Sequence, residues 1–368
     1  MAEVYRSGWV TMGAHVRALE AAFSKHVAVE HSVAVASGTA ALHAAALAAG
    51  LGPRMEFVAP SLTFVATVSA LAQTGAEPVF VDIASPTTPW PTADAYAAAI
   101  GPRTRAIVSM PYGGHPGEVL ELRDLADARG VVLIEDAAHG IGGRAASGVP
   151  LGAIGDVAAF SFFSNKNLPV GEGGMVTTPH ADWASELRLL RSHGMTTSSW
   201  DRHAGRAAEY TVIRAGFNYR LDEPRARLAS LRLAALDAHQ RARAAHTDFY
   251  RAALAGLPGV RATAGAAEGT VSANHLFTVV VEPEVDRDAV RTTMAARGVQ
   301  TSVHYPPIHG FALFGGTDRS LPVTEDYARR TITLPLFPHL TVDQRELVVS
   351  ALERAVAVHT PELGSLGR

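Results

Sequence analysis

The sequence contains no cysteine. That excludes a disulfide framework, a thiolate nucleophile and any cysteine-based metal site, so covalent chemistry must come from Lys, Ser, Thr, Asp or Glu. Long apolar runs are also missing: no stretch of about 18 residues could span a membrane, and the first residues lack the basic-then-apolar pattern of a signal peptide. A cytoplasmic location is expected. Excess charge of one sign is absent, the formal net charge being -3, which argues against nucleic acid as a partner. Lysine is scarcer still. Of 32 basic residues only Lys25 and Lys166 are lysines. Arginine serves wherever only surface charge is needed, so a chain with this bias keeps lysine mainly where a primary amine is required.

What is present is a chain of 368 residues, 48% hydrophobic and 18% charged, long enough for one large α/β domain and a smaller one. Short apolar runs alternate with helical patterns: 33–36, 40–49, 57–59, 66–73, 78–81, 105–108, 120–128 and 131–134. This alternation predicts a mostly parallel sheet covered by helices on both faces, with ligands at the carboxyl ends of its strands. Further strands are expected at 157–162 and 174–177. One long amphipathic helix, 223–254, then leads to a C-terminal α+β block with a strand at 276–281, a helix at 286–297, a strand at 300–304 and a helix at 342–356. The expected division is a large domain over 1–222 and the long helix plus small domain over 223–368. Residues 195–216 are polar and unpatterned, as a loop or a segment that folds against a partner would be.

The two lysines differ in context. Lys25 falls on the wet side of a helix expected over 14–26, whose apolar stripe is Val16, Leu19 and Phe23. Lys166 has no such helix around it.

Three segments carry candidate chemistry, each in a loop after a strand. Ser37-Gly38-Thr39 opens a helix, where N–H groups and hydroxyls can hold a phosphate; an ordinary N-cap is the other reading. A buried strand runs into Glu135 and Asp136, followed by His139. Two carboxylates there read either as a cap or ion pair, or, for Asp136, as the partner of a protonated pyridine nitrogen that keeps the ring an electron sink. His139 reads as a structural residue or as a contact to the ring hydroxyl. An Asp-x-x-His pair can ligate metal, but no third ligand has suitable spacing, so no metal is expected.

The third segment, 160–174, reads Phe-Ser-Phe-Phe-Ser-Asn-Lys-Asn-Leu-Pro-Val-Gly-Glu-Gly-Gly. A strand delivers Ser161 and a turn delivers Lys166, whose amine can form an imine with an aldehyde. The glycines permit close backbone approach to a ligand.

With these residues in view, the chain resembles the DegT/StrS family of sugar aminotransferases, which are fold type I enzymes dependent on pyridoxal 5'-phosphate (PLP). The match runs through Ser37 to His43, Pro60 to Thr67, Gly75 to Asp82, Ile134 to His139, Phe160 to Leu168, Arg191 to Gly194, Gly216 to Leu221, His304 to His309 and Leu334 to Pro338. The resemblance implies an aspartate-aminotransferase-like fold. It also implies that Lys166 holds PLP as a Schiff base and moves the substrate proton, and that Asp136 binds the pyridine nitrogen. His139 would meet the ring oxygen, Phe64 would stack on the ring, and Gly38, Thr39 and Ser161 would hold the phosphate. Asn218 would reach the phosphate of a neighbouring subunit, making the active sites of a homodimer shared. Arg220, Tyr305 and His309 are candidate substrate contacts. Relative to the family pattern, Pro53-Arg54-Met55-Glu56, Pro169 and Met110-Pro111-Tyr112 are departures, the last pointing to an altered substrate pocket.

The reaction expected is ping-pong transamination from glutamate or glutamine to a ketone on a nucleotide-linked sugar, with a keto-cyclitol as the alternative acceptor. Richness in Ala, Gly and Arg is consistent with a high-GC producer of secondary metabolites. Trp200, Arg202, His203 and Arg206 read either as a solvated loop or as contacts to a nucleotide diphosphate. Two rival classes make different demands. A PLP-dependent sugar dehydratase of this type calls for histidine where Lys166 stands; a non-catalytic regulatory protein calls for a lost anchor or a basic DNA-binding appendage.

Overall fold

The computed structural model describes residues 1–197, 200, 203, 205, 208–315 and 320–360. Seven strands form the larger sheet: β1 (His31–Val35), β2 (Glu56–Pro60), β3 (Glu77–Val81), β4 (Thr104–Ser109), β5 (Val132–Asp136), β6 (Val157–Ser161) and β7 (Gly174–Thr178), in the order β1-β7-β6-β5-β4-β2-β3. Pairing is parallel from β6 across to β3, and β7 alone is reversed, antiparallel to both β6 and β1. Central strands such as β5 are buried at every position. This is why they read as continuous apolar runs rather than as alternating ones.

The helices that cover the sheet are α1 (Ala2–Arg6), α2 (Ala14–Val27), α3 (Gly38–Ala48), α4 (Val65–Ala72), α5 (Ala93–Ala99), α6 (Val119–Arg129) and α7 (Ala181–Arg191). Helix α2 buries Val16, Leu19 and Phe23 and leaves Lys25 exposed, as its periodicity requires. Its N-cap is Gly13, which has no side chain to satisfy the first-turn amides. They are satisfied from far along the chain: the buried Glu223 carboxylate accepts from Gly13 N–H at 2.9 Å, His15 N–H at 2.8 Å and Val16 N–H at 2.9 Å.

The single helix expected over 223–254 is two helices, α8 (Glu223–Ala234) and α9 (Leu236–Ala253), joined at Ala235. The break lets each half follow a different core. Ala226 and Ala229 of α8, with Leu236 at the start of α9, bury with Val16, Leu19 and Phe23, whereas Tyr250 and Leu254 at the far end of α9 bury with the C-terminal strands.

Those strands are β8 (Val260–Ala262), β9 (Phe277–Val281) and β10 (Thr331–Leu334), an antiparallel three-stranded sheet in the order β10-β9-β8. It packs with α10 (Arg287–Ala296) and α12 (Val342–His359), while α11 (Pro322–Arg330) leads into β10. The strand expected at 300–304 is reduced to one bridge between Ser302 and Thr333. Two prolines follow at Pro306 and Pro307, and a residue without an N–H cannot continue a ladder. The segment instead turns toward the carboxyl edge of the large sheet.

Residues 195–216 have order in their described part. Met195 bridges Val212, the Thr196 N–H donates to the Thr211 carbonyl at 3.0 Å, and the Thr197 hydroxyl donates to the Glu209 carbonyl at 3.0 Å. This ribbon presents Tyr210, Val212 and Ile213 with exposures of 55%, 55% and 62%, high for large apolar side chains. Among the described residues no helix is long and apolar enough to cross a membrane.

Candidate active site

Six strands point their carboxyl ends to one edge of the large sheet, and the loops that follow five of them enclose a cavity of about 350 Å³. β1 leads to Ser37, Gly38 and Thr39; β2 to Phe64; β4 to Met110; β5 supplies Asp136 and His139; β6 supplies Ser161 and Lys166; His304 and Tyr305 close it from the C-terminal block.

At the start of α3, Ser37 is an N-cap in the ordinary sense, its hydroxyl accepting from Ala40 N–H at 3.1 Å. The same helix start still has the positive end of its dipole and first-turn amides, which are suited to an anion. Gly38 is required by crowding: a Cβ there would lie 2.7 Å from the Ser161 Cβ. β1 and β6 are thereby brought together so that the α3 start and the Ser161 hydroxyl line one wall.

The acidic pair at the end of β5 divides between two jobs. Glu135 is buried and accepts from Gly152 N–H at 2.8 Å, Ile154 N–H at 2.8 Å and Gly155 N–H at 2.6 Å, so it organises the turn before β6. Asp136 lines the cavity. The Thr67 hydroxyl donates to it at 2.5 Å and Ala138 N–H at 3.2 Å; burial pushes its carboxyl up, and these donors offset part of that.

Lys166 stands in the turn after β6, with its backbone N–H on the Phe163 carbonyl at 2.9 Å. Burial lowers its amine to about 8, against the opposing pull of the Asp136 carboxylate. An amine at that value is partly neutral, hence nucleophilic, near neutral pH.

His139 is fully enclosed. Its Nε2 lies 3.0 Å from the Tyr305 hydroxyl, its Nδ1 has no partner, and its ring centroid is 4.1 Å from that of His275. Burial, then the charges of Lys166, His275 and His304, hold it well below the ordinary histidine range, so it is neutral. Phe64 stands at the cavity with 51% exposure, its ring 5.9 Å from that of Tyr305.

Three expected site residues lie outside this lining. Asn218 is exposed and bridges Ser192; Arg220 bridges Val35 at the edge of β1. His309 links the loop after β2 to α11, its Nδ1 2.7 Å from the Ser61 hydroxyl and its Nε2 3.2 Å from Glu325. Trp200 and His203 pack on Trp9 beside a separate cavity of about 600 Å³; Arg202 and Arg206 fall outside the described residues.

Sequence reasoning passed over Thr67, Asn167 and His304, although each lies inside a motif it had marked. Nothing in the pattern marks His275, an isolated residue just before β9 that the fold packs against the His139 ring behind the cavity lining, its Nδ1 3.1 Å from the Asn167 carboxamide oxygen.

A near-neutral lysine beside a buried carboxylate, an unpartnered imidazole nitrogen, an exposed aromatic face and a helix start opposite a serine hydroxyl fit a flat, cationic, phosphate-bearing aldehyde. With a parallel sheet delivering them, this is the fold and site of an aspartate-aminotransferase-like, PLP-dependent transaminase. The chain belongs to the DegT/DnrJ/EryC1/StrS aminotransferase family, whose model matches residues 1–353.

Solved structures agree. The chain is similar to the aminotransferase TlmJ from Streptoalloteichus hindustanus, at 33% identity over 97% of this chain and 94% of that one, with a TM-score of 0.91. It is 37% identical to S. venezuelae DesV, seen in complex with a ketimine intermediate, over 96% of this chain and 92% of that one, with a TM-score of 0.89. Its identity to the sugar aminotransferase CalS13 from Micromonospora echinospora is 30% over 96% of this chain and 95% of that one, with a TM-score of 0.87.

Proposed function

We propose that this aminotransferase moves an amino group from glutamate or glutamine to the ketone of a nucleotide-linked keto-sugar, in amino-sugar or secondary-metabolite biosynthesis. The observation that carries the reading is Lys166 in its cavity, lowered to about 8 beside Asp136, in a chain similar end to end to the sugar aminotransferase CalS13.

When bound, PLP supplies an aldehyde for the lysine amine and an electron sink for the carbon that loses its proton. The rest is the work of the protein's own groups. Lys166 Nζ would hold the cofactor and would carry the proton from the substrate carbon and back; a value near 8 suits both directions. Asp136 would pair with the cationic ring nitrogen, with the Thr67 hydroxyl keeping its carboxylate from turning away. His139 Nδ1 would meet the ring oxygen, Phe64 would cover the ring, and the α3 start with Ser161 would hold the phosphate.

Asn218 completes the phosphate site of a second copy, which makes the working unit a homodimer. Its exposure in the single chain supports this, as do the apolar Tyr210, Val212 and Ile213 on the adjacent ribbon. Arg220, beside Asn218, is the candidate for the donor carboxylate. Met110 lines the cavity at the departure from the family pattern and is placed to select the acceptor.

The test is to convert the purified enzyme to its aminated form with glutamate or with glutamine, then offer nucleotide-linked keto-sugars and keto-cyclitols separately. Return of the cofactor's visible absorbance with a nucleotide-linked keto-sugar is expected. Return with keto-cyclitols alone would replace the acceptor, and no response to either donor would overturn the donor assignment.

A further inference from the structure

Tyr305 lines the cavity, and its hydroxyl meets the His139 ring there. The hydroxyl lies 3.0 Å from His139 Nε2, the two rings are nearly parallel at 26°, and burial raises the phenol well above its ordinary value, so it keeps its proton. The residue is held from behind. The Tyr112 hydroxyl donates to the His304 carbonyl and lies 2.9 Å from the Tyr327 hydroxyl, fixing the backbone that carries Tyr305. The charged and titratable groups facing His139 are Lys166, His275 and His304, with Asp136 on its own turn; Tyr305 faces it as well.

A neutral imidazole has one donor nitrogen and one acceptor. If Nε2 carried the proton, the phenolic hydrogen would lose its acceptor and Nδ1 would be a buried lone pair facing no donor, two buried polar groups left unmet. If Tyr305 donates to Nε2, the proton lies on Nδ1, the one ring nitrogen free to meet an oxygen arriving in the cavity. We propose that Tyr305 is a positioning residue that fixes His139 as its Nδ1–H tautomer, turning it into a permanent hydrogen-bond donor to the ring oxygen of the cofactor. This rests on the reading that places His139 at that oxygen.

The test is a pH titration of the visible absorption band of the PLP-loaded protein. A donor to the ring oxygen stabilises its anion and weakens that anion's hold on the proton of the lysine-bound nitrogen. Losing the donor therefore raises the midpoint. Tyr305→Phe is expected to raise it by about one pH unit, the size of one net hydrogen bond. In His139→Gln, whose carboxamide always carries donors, the same Tyr305→Phe change should leave the midpoint in place. An equal shift in both backgrounds would mean that Tyr305 acts on the cofactor directly and would overturn the proposal. His139→Ala alone separates the two layers: if it leaves the midpoint unmoved, the placement of His139 fails and the proposal with it. If it moves the midpoint and Tyr305→Phe does not, the placement stands and the tautomer role falls. Nitrogen-15 spectra of histidine-labelled, loaded protein, with the signal assigned by its loss in His139→Gln, read the tautomer without altering Tyr305. A protonated Nδ1 supports the proposal, and a protonated Nε2 overturns it.

Discussion

Glu135 and Asp136 are consecutive residues of β5 whose buried carboxylates serve opposite sides of the sheet: Glu135 binds the amides of Gly152, Ile154 and Gly155, while Asp136 takes the Thr67 hydroxyl and lines the cavity with Lys166. Strand alternation makes this division obligatory, since neighbouring side chains leave the pleat in opposite directions. One carboxylate builds the turn that leads to β6 and Lys166, and the other faces Lys166 itself.

Lys166→Ala removes the only amine in the cavity lining. Turnover should fall by about 10²–10⁴-fold or more and the visible absorbance of the loaded enzyme should vanish. Lys25→Ala, at an exposed site on α2, should change neither. Persisting turnover in the first variant would end the lysine-anchored mechanism.

The cofactor-free protein should take up PLP at a rate that rises with pH through about 8, where the Lys166 amine loses its proton, well below the ordinary 10.5. Asp136→Asn removes the charge that raises this value, so the midpoint should move lower still. Stability follows with a definite sign. Between about 8 and 10.5 the unfolded chain binds more protons at this lysine than the folded one, so this group's destabilising effect, full below 8, is relieved as pH rises through that window. Stopped-flow absorbance checks the rate, and urea midpoints against pH check the stability.

Glu223→Ala should cost about 3 kcal/mol of stability, because it strands the amides of Gly13, His15 and Val16 that no side chain of α2 can reach. A shifted urea midpoint measures this. An unchanged one would show that water caps α2 equally well.

Gly38→Ala places a methyl group 2.7 Å from the Ser161 Cβ, which, unlike the Ser161 hydroxyl, cannot rotate aside without moving the β6 backbone. Cofactor retention should drop by about tenfold or more as the phosphate wall opens. Equilibrium dialysis of the variant against native protein decides it.

Much of the site was legible in order along the chain, for a physical reason. In a parallel sheet each candidate residue sits at or just past a strand's carboxyl end, so Gly38, Asp136, Ser161 and Lys166 each follow a buried apolar run. The scarcity of lysine then singled out Lys166. Local patterning failed where long-range pairing decided the outcome. The residues of 300–304 have strand character, yet they meet β10 at one bridge because the chain must turn to bring His304 and Tyr305 over β5. The amphipathic run 223–254 shows no break, since both halves keep a helical period; only the two cores they bury against separate them at Ala235.

The sequence by itself determined the alternating fold and the class of chemistry, and it singled out the lysine we propose as the cofactor's anchor, since these depend on residue type at fixed distances from strand ends. The tertiary structure alone decided what each polar group does: that Glu135 is scaffolding and Asp136 is not, that His275 and Thr67 belong to the site, and that Tyr305 reaches His139. Tyr305 and His139 share a hydrogen bond across 166 positions, and no pattern along the chain encodes which of a buried group's neighbours will be its partner.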